Sequence, residues 1–222
     1  MKKELPAYSG TLRSHSLSVP KCIYECSGIL IFGRRIKSLV FSTDVAIIKN
    51  INTDAVIAVY PFTPQPAIAQ AIINLSDAPV FVGVGGGLTS GDRSVRLAAY
   101  AEHQGAFGIV VNAPIPTDVI SNIKIHVDIP VVATIVSASQ DIDERIAAGA
   151  DILNVSAAAD TPAVVRSIRE RYPDIPIIAT GGPTEDTIRA TIAAGANAIT
   201  YTPPSNGDLF AKAMEAYRKK YM

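Results

Sequence analysis

From Ser38 onward the chain alternates short apolar runs with longer stretches of helical character, the sequence form of a parallel α/β fold. Eight runs read as buried strands: Ser38 to Ser42, Ala55 to Tyr60, Val80 to Val84, Gly108 to Asn112, Val131 to Ile135, Ile152 to Val155, Ile177 to Thr180 and Ala198 to Tyr201. The third, fifth and seventh follow Asp77-Ala78-Pro79, Asp128-Ile129-Pro130 and Asp174-Ile175-Pro176. Proline there stops a helix and holds the preceding residue extended. The fourth, sixth and eighth follow Gly105-Ala106, Gly149-Ala150 and Gly195-Ala196, where glycine can take the left-handed conformation that closes a helix. This two-unit repeat predicts one domain, a closed (β/α)8 TIM barrel over residues 35–222, after an N-terminal extension over residues 1–34. Within the extension, Gly28 to Phe32 is either an added strand plugging the barrel floor or a contact for a partner subunit.

Composition narrows the function classes. Hydrophobic residues make up 48% of the 222 positions and charged residues 18%, as expected where helices cover buried strands. Twenty basic and twenty acidic residues cancel, and no basic stripe is interleaved with aromatics, so nucleic acid is not an expected partner. No apolar span has the length of a membrane helix, and the first residues lack the continuous apolar region of a secretory signal, so neither membrane insertion nor secretion is expected. Cys22 and Cys26 stand without a second cysteine pair or a nearby histidine run, which argues against a metal site and for reduced thiols in a cytoplasmic protein. No cofactor is expected. A homo-oligomer is compatible with the apolar segment of the extension.

Barrel enzymes place their chemistry after the strands, at the C-terminal mouth. That rule sets aside His126, Asp128, His103, Glu102 and Asp174, which precede strands and read as floor or surface residues. At the mouth, Gly181 and Gly182 lead into Pro183-Thr184-Glu185-Asp186 at the start of a helix. Glycine lets backbone N–H groups approach a ligand, and the helix N-terminus favours a phosphate. The same residues also fit a tight turn with Thr184 as cap. A second cluster, Gly85, Gly86 and Gly87, precedes Thr89-Ser90-Gly91-Asp92; it matches neither a Walker loop nor a dinucleotide fingerprint and is taken as facing the ligand. Other polar residues at the mouth are Tyr60, Thr63, Asn112, Thr134, Ser137, Asn154 and Ser156. Asp44 is the carboxylate nearest a strand exit and so the candidate general base, although Ser42-Thr43-Asp44 also reads as a helix cap. Paired acids, a Ser-His-Asp order and metal-ligand spacing are not apparent.

The stretch PIIATGGPTEDTIRATIAAGANAITYTPPS resembles the last two units of the phosphate-binding barrels, which include ribulose-phosphate-binding enzymes, thiazole synthase and the 2-keto-3-deoxy-6-phosphogluconate aldolases. The resemblance covers the last third of the chain by motif and the rest by architecture. It implies a phosphate at Gly181 and Gly182. The family's small pair after the last strand is replaced by Tyr201-Thr202-Pro203-Pro204-Ser205, so Thr202 and Ser205 would have to complete the grip. No strand carries a lysine near its C-terminal end, which disfavours Schiff-base aldolase chemistry. The expected function is an enzyme of lyase, isomerase or synthase type acting on a small phosphorylated metabolite. His15 or Arg13 could fold over the mouth to assist it. The alternative is a non-catalytic sensing or scaffold barrel.

Overall fold

In the computed structural model the described residues are Pro6, Tyr8, Gly10 and 17–221. His15 and Arg13 therefore lie outside them. The order is a 3-10 turn (Lys21–Glu25), β1 (Ile29–Ile31), β2 (Arg34–Ile36), β3 (Ser38–Phe41), α1 (Val45–Asn50), β4 (Ala55–Ala58), α2 (Pro66–Leu75), β5 (Val80–Gly85), α3 (Asp92–His103) and β6 (Gly108–Val111). It continues with α4 (Thr117–His126), β7 (Val131–Ile135), α5 (Ile142–Ala147), β8 (Ile152–Val155), a 3-10 turn (Ala158–Asp160), α6 (Thr161–Arg171), β9 (Ile177–Thr180), α7 (Glu185–Ala193), β10 (Ala198–Tyr201) and α8 (Asn206–Tyr221). Strands β3 to β10 close a parallel barrel, β10 pairing with β3, and all eight coincide with the apolar runs. The fold is a (β/α)8 barrel.

The predicted punctuation has its physical basis in the backbone. Gly105, Gly149 and Gly195 all adopt positive φ, at 93°, 104° and 111°. Side chains placed before one strand also lock the start of its neighbour. Asp54 accepts the N–H groups of Lys37 and Ser38, Asp151 that of Val131, and Asn197 that of Ile177. Glu102 accepts the N–H groups of Asp128 and Ile129, which keeps these residues at the floor as expected.

The segment Gly28 to Phe32 supplies β1, which pairs antiparallel with β2 and plugs the floor. Its buried Ile29 and Ile31, with Ile36, pack against inward residues such as Leu39, Phe81, Val132 and Ile178. The hairpin crosses the expected boundary between residues 34 and 35. Upstream, Leu17 exchanges backbone hydrogen bonds with Asn50 and Asn52, and the buried Val19, Cys22 and Ile23 join the outer core. The 3-10 turn over Lys21–Glu25 packs against α7. These residues, rather than α8, thus seal the layer between α7 and α1. Helix α8 has no buried residue, and Phe210, Met214, Tyr217 and Tyr221 form an exposed stripe at helical spacing.

Candidate functional site at the barrel mouth

Successive strand residues point to opposite faces, so every second residue of each barrel strand points inward. On β3 and β4 the inward series stays apolar to the top, ending at Phe41 and Val59. On the other side it changes character one step below the mouth. Val110 gives way to Asn112, Val132 to Thr134, Ile152 to Asn154 and Ser156, Ile178 to Thr180, and Ala198 to Thr200 and Thr202. The result is a cup of about 260 Å³ with an apolar arc facing an arc of hydroxyls and amides. A second cavity of about 250 Å³ lies beside it, between the segment Tyr60 to Pro64 and the loop Gly85 to Thr89. Val59 and Asn112 line both.

Neighbouring strands set the cup's polar contacts. Thr134 stands opposite Asn154 in the β7–β8 register, and Asn154 Nδ2 donates to Thr134 Oγ1 at 3.3 Å. Thr180 stands opposite Thr200 and donates to Ser156 Oγ at 3.3 Å. Asn154 Oδ1 and Thr200 Oγ1 are buried without a protein partner, and Thr200 is only 7% exposed. A buried polar atom left unpaired costs about 1–3 kcal/mol.

The glycine loop is shaped by close approach. Gly86, at φ 105°, passes over Asn112, and a Cβ on it would lie 2.5 Å from Asn112 Cβ. A Cβ on Gly85 would collide with Ser94 Oγ and with the Thr89 carbonyl. Gly86 N–H is used by Thr89 O, and Asn112 N–H by Gly85 O, so the loop is tied to the residue shared by both cavities. The N–H groups of Gly87, Leu88 and Thr89 have no hydrogen-bond partner among the described residues. Thr89 Oγ1 donates to Thr63 Oγ1, and Tyr60 Oη accepts the N–H of Gln65 at 2.7 Å. Below this loop, the buried guanidinium of Arg145 donates to the carbonyls of Ala113 and Ile115, steadying the segment after Asn112; burial holds it below its ordinary pKa.

Of the residues expected from sequence, Tyr60, Thr63, Gly85, Gly86, Gly87, Asn112, Thr134, Asn154, Ser156 and Thr202 line these cavities. Five do not, the first being Ser137, whose hydroxyl bonds that of Ser139 at 2.9 Å. Asp44 caps α1, its Oδ1 accepting the N–H groups of Ala46 and Ile47 and the Nδ2 of Asn206. Gly181 donates its N–H to Thr200 O, and a Cβ there would meet Ile188 and Ile199. Gly182, at φ 79°, makes room for Thr187, which shares a capping box with Thr184. Ser205 donates from both N and Oγ to Asp208, whose carboxyl these bonds hold below its ordinary pKa. Each position thus has a packing or capping reason for its residue type. Sequence reasoning missed Phe41, Thr180 and Thr200; the period of two from Thr202 and Ser156 back into the strands is the signal that finds them.

No lysine, arginine, histidine or carboxylate lines either cavity among the described residues. Among the same residues, no three His, Cys, Asp or Glu side chains are grouped to hold a metal ion, and no helix is long and apolar enough to cross a membrane.

No protein-family model matches the chain, and no curated protein is significantly similar to it. Solved structures do share its fold. A candidate phosphonomutase from Burkholderia cenocepacia J2315 superposes with a TM-score of 0.63 at 17% identity, over 83% of this chain and 92% of that one. A phosphonopyruvate hydrolase in complex with oxalate and Mg2+ gives 0.60 at 13% identity, over 86% and 82% of the two chains. A mandelate oxidase bound to benzoyl-formic acid gives 0.62 at 17% identity, over 80% and 68%. At such identities the likeness is one of fold, and the three named activities differ.

Proposed function

We propose that this chain is an enzyme of lyase, isomerase or synthase type that takes a small phosphorylated metabolite at the barrel mouth. The observation that carries the reading is the pair of cavities joined at Asn112, lined by inward residues that turn polar only where barrel enzymes hold substrate. The hydroxyls and amides on one side of the cup support a polar occupant.

For the phosphate, the reading favours the Gly87 to Thr89 loop over Gly181 and Gly182. The first offers three uncommitted N–H groups. At the second, the Gly181 N–H is spent, and Glu185 and Asp186 put two carboxylates into the first turn of α7, where they oppose an anion. Tyr60 is the one titratable side chain in either lining among the described residues, and takes the acid-base role in place of Asp44. Self-association belongs to the same proposal, supported by the uncovered apolar stripe of α8.

The neutral lining also favours a second reading, a ligand-sensing barrel without turnover, because most such reactions draw on a charged acid or base. A panel of phosphorylated metabolites tests both. A ligand at about 100 times its dissociation constant stabilises the fold by about 2.7 kcal/mol, visible as a thermal shift. Proton and phosphorus NMR of the stabilising compound with the protein then separates the readings. Conversion that Tyr60→Phe abolishes supports the enzyme; binding with no conversion supports the sensor; no shift with any compound contradicts both.

A further inference from the structure

We infer that the end of the substrate entering the barrel is an uncharged, hydroxylated carbon chain and not a carboxylate or an ammonium group. This rests on the proposed reading that a phosphorylated metabolite occupies the mouth, and it concerns the cup rather than the glycine loop.

Three features of the cup lead to it. The first is charge. Among the described residues no cation or carboxylate lines the cup, and the buried guanidinium of Arg145 is turned to the carbonyls of Ala113 and Ile115. An ionised group moved from water into such a place loses hydration worth several kcal/mol with no opposite charge to offset it.

The second is the sense of the free hydrogen-bonding atoms. The polar arc consists of amides and hydroxyls, among them Asn112, Ser156, Thr180 and Thr202, which donate and accept alike. A chain of alcohols, or an alcohol beside a carbonyl, satisfies such a set without a net charge.

The third is the cup's two-sidedness. Phe41, Ile57 and Val59 oppose the polar arc, so an occupant meets C–H contact on one flank and hydrogen bonds on the other. A hydroxylated carbon chain has this same division.

Glycerol 3-phosphate and 3-phosphoglycerate test this, because they differ only in a terminal CH2OH against a carboxylate. Isothermal titration of the full-length protein with each, and with inorganic phosphate, is expected to give glycerol 3-phosphate the lowest Kd, by about tenfold or more over 3-phosphoglycerate, as expected for a carboxylate buried without a partner. Ser156→Ala, which removes a lining hydroxyl, is expected to narrow that gap. Equal or tighter binding of 3-phosphoglycerate overturns the inference. Binding of inorganic phosphate with no added affinity for glycerol 3-phosphate also overturns it, while leaving the phosphate reading intact. If none of the three binds, the proposed mouth reading fails and the inference fails with it.

Discussion

Asn154 donates to the hydroxyl of Thr134 at 3.3 Å across the β8–β7 pair and leaves its own Oδ1 buried without a partner. The pair lies where the inward series of the barrel turns from apolar to polar. Below it, Val132 and Ile152 are part of the interior core that the floor hairpin closes. The same two strands therefore belong to the interior core at one end and line the cup at the other.

Thr200 shows the cost of this arrangement. Its buried Oγ1 has no protein partner, so Thr200→Val removes an unpaired hydroxyl while filling nearly the same volume. The ligand-free variant is expected to be more stable than the wild type by about 1 kcal/mol in urea unfolding. A loss of stability would show that the hydroxyl is satisfied in the free protein.

Gly86 and Gly87 separate close approach from backbone strain. Both adopt positive φ, but only at Gly86 would a Cβ collide, lying 2.5 Å from Asn112 Cβ, whereas Gly87 has nothing within 4 Å. Gly87→Ala is expected to cost about 1 kcal/mol from its backbone conformation alone. Gly86→Ala is expected to cost about 2 kcal/mol or more and to displace Asn112, weakening ligand binding as well. Thermal unfolding of the two variants checks the order.

At the floor, Asn197 Oδ1 accepts from Arg169 Nη2 at 2.7 Å and from the N–H of Ile177 at 2.9 Å. Asn197→Ala leaves both donors short of an acceptor, and a loss of about 2 kcal/mol is expected in urea unfolding. Because the mouth is at the other end of β9 and β10, ligand affinity is expected to hold wherever the variant remains folded.

Cys22 and Cys26 are each 2% exposed, and burial pushes both thiols above their ordinary pKa. A thiol that stays protonated and covered is a poor nucleophile. Alkylation by iodoacetamide near neutral pH is expected to be negligible in the native protein and rapid in denaturant, as mass spectrometry would show.

The stripe on α8 gives a prediction for assembly. Phe210 is 69% exposed and Tyr217 57%, on a helix whose usual barrel slot is filled by Val19, Cys22 and Ile23. If a second copy covers the stripe, changing Phe210 and Tyr217 together to Ser shifts the light-scattering mass toward the monomer. An unchanged mass contradicts this part of the proposal.

The barrel was legible in the sequence because its signals are local and repeated. Prolines before β5, β7 and β9 and glycines before β6, β8 and β10 punctuate the chain, and the three glycines take the positive φ that closes a helix. The site was less legible because glycine-rich loops stand out in a sequence while the inward register of a strand does not. Glycines at 181 and 182 suit a phosphate by residue type, yet the room they make is taken by Ile188, Ile199 and Thr187, contacts from elsewhere in the fold that the glycines themselves do not reveal. Thr180 and Thr200, by contrast, sit in strands that read as apolar, and only their inward register with Ser156 and Thr202 marks them as lining.

In the proposed function a small phosphorylated compound binds where the two cavities meet. Asn112 lines both, so Asn112→Asp places a carboxylate against the ligand at the junction. Isothermal titration of glycerol 3-phosphate into the wild type and this variant is the direct measurement. Saturable binding by the wild type, weakened about tenfold or more in the variant by like-charge repulsion, is the result predicted here. Equal binding by both proteins, or none by the wild type, would contradict it.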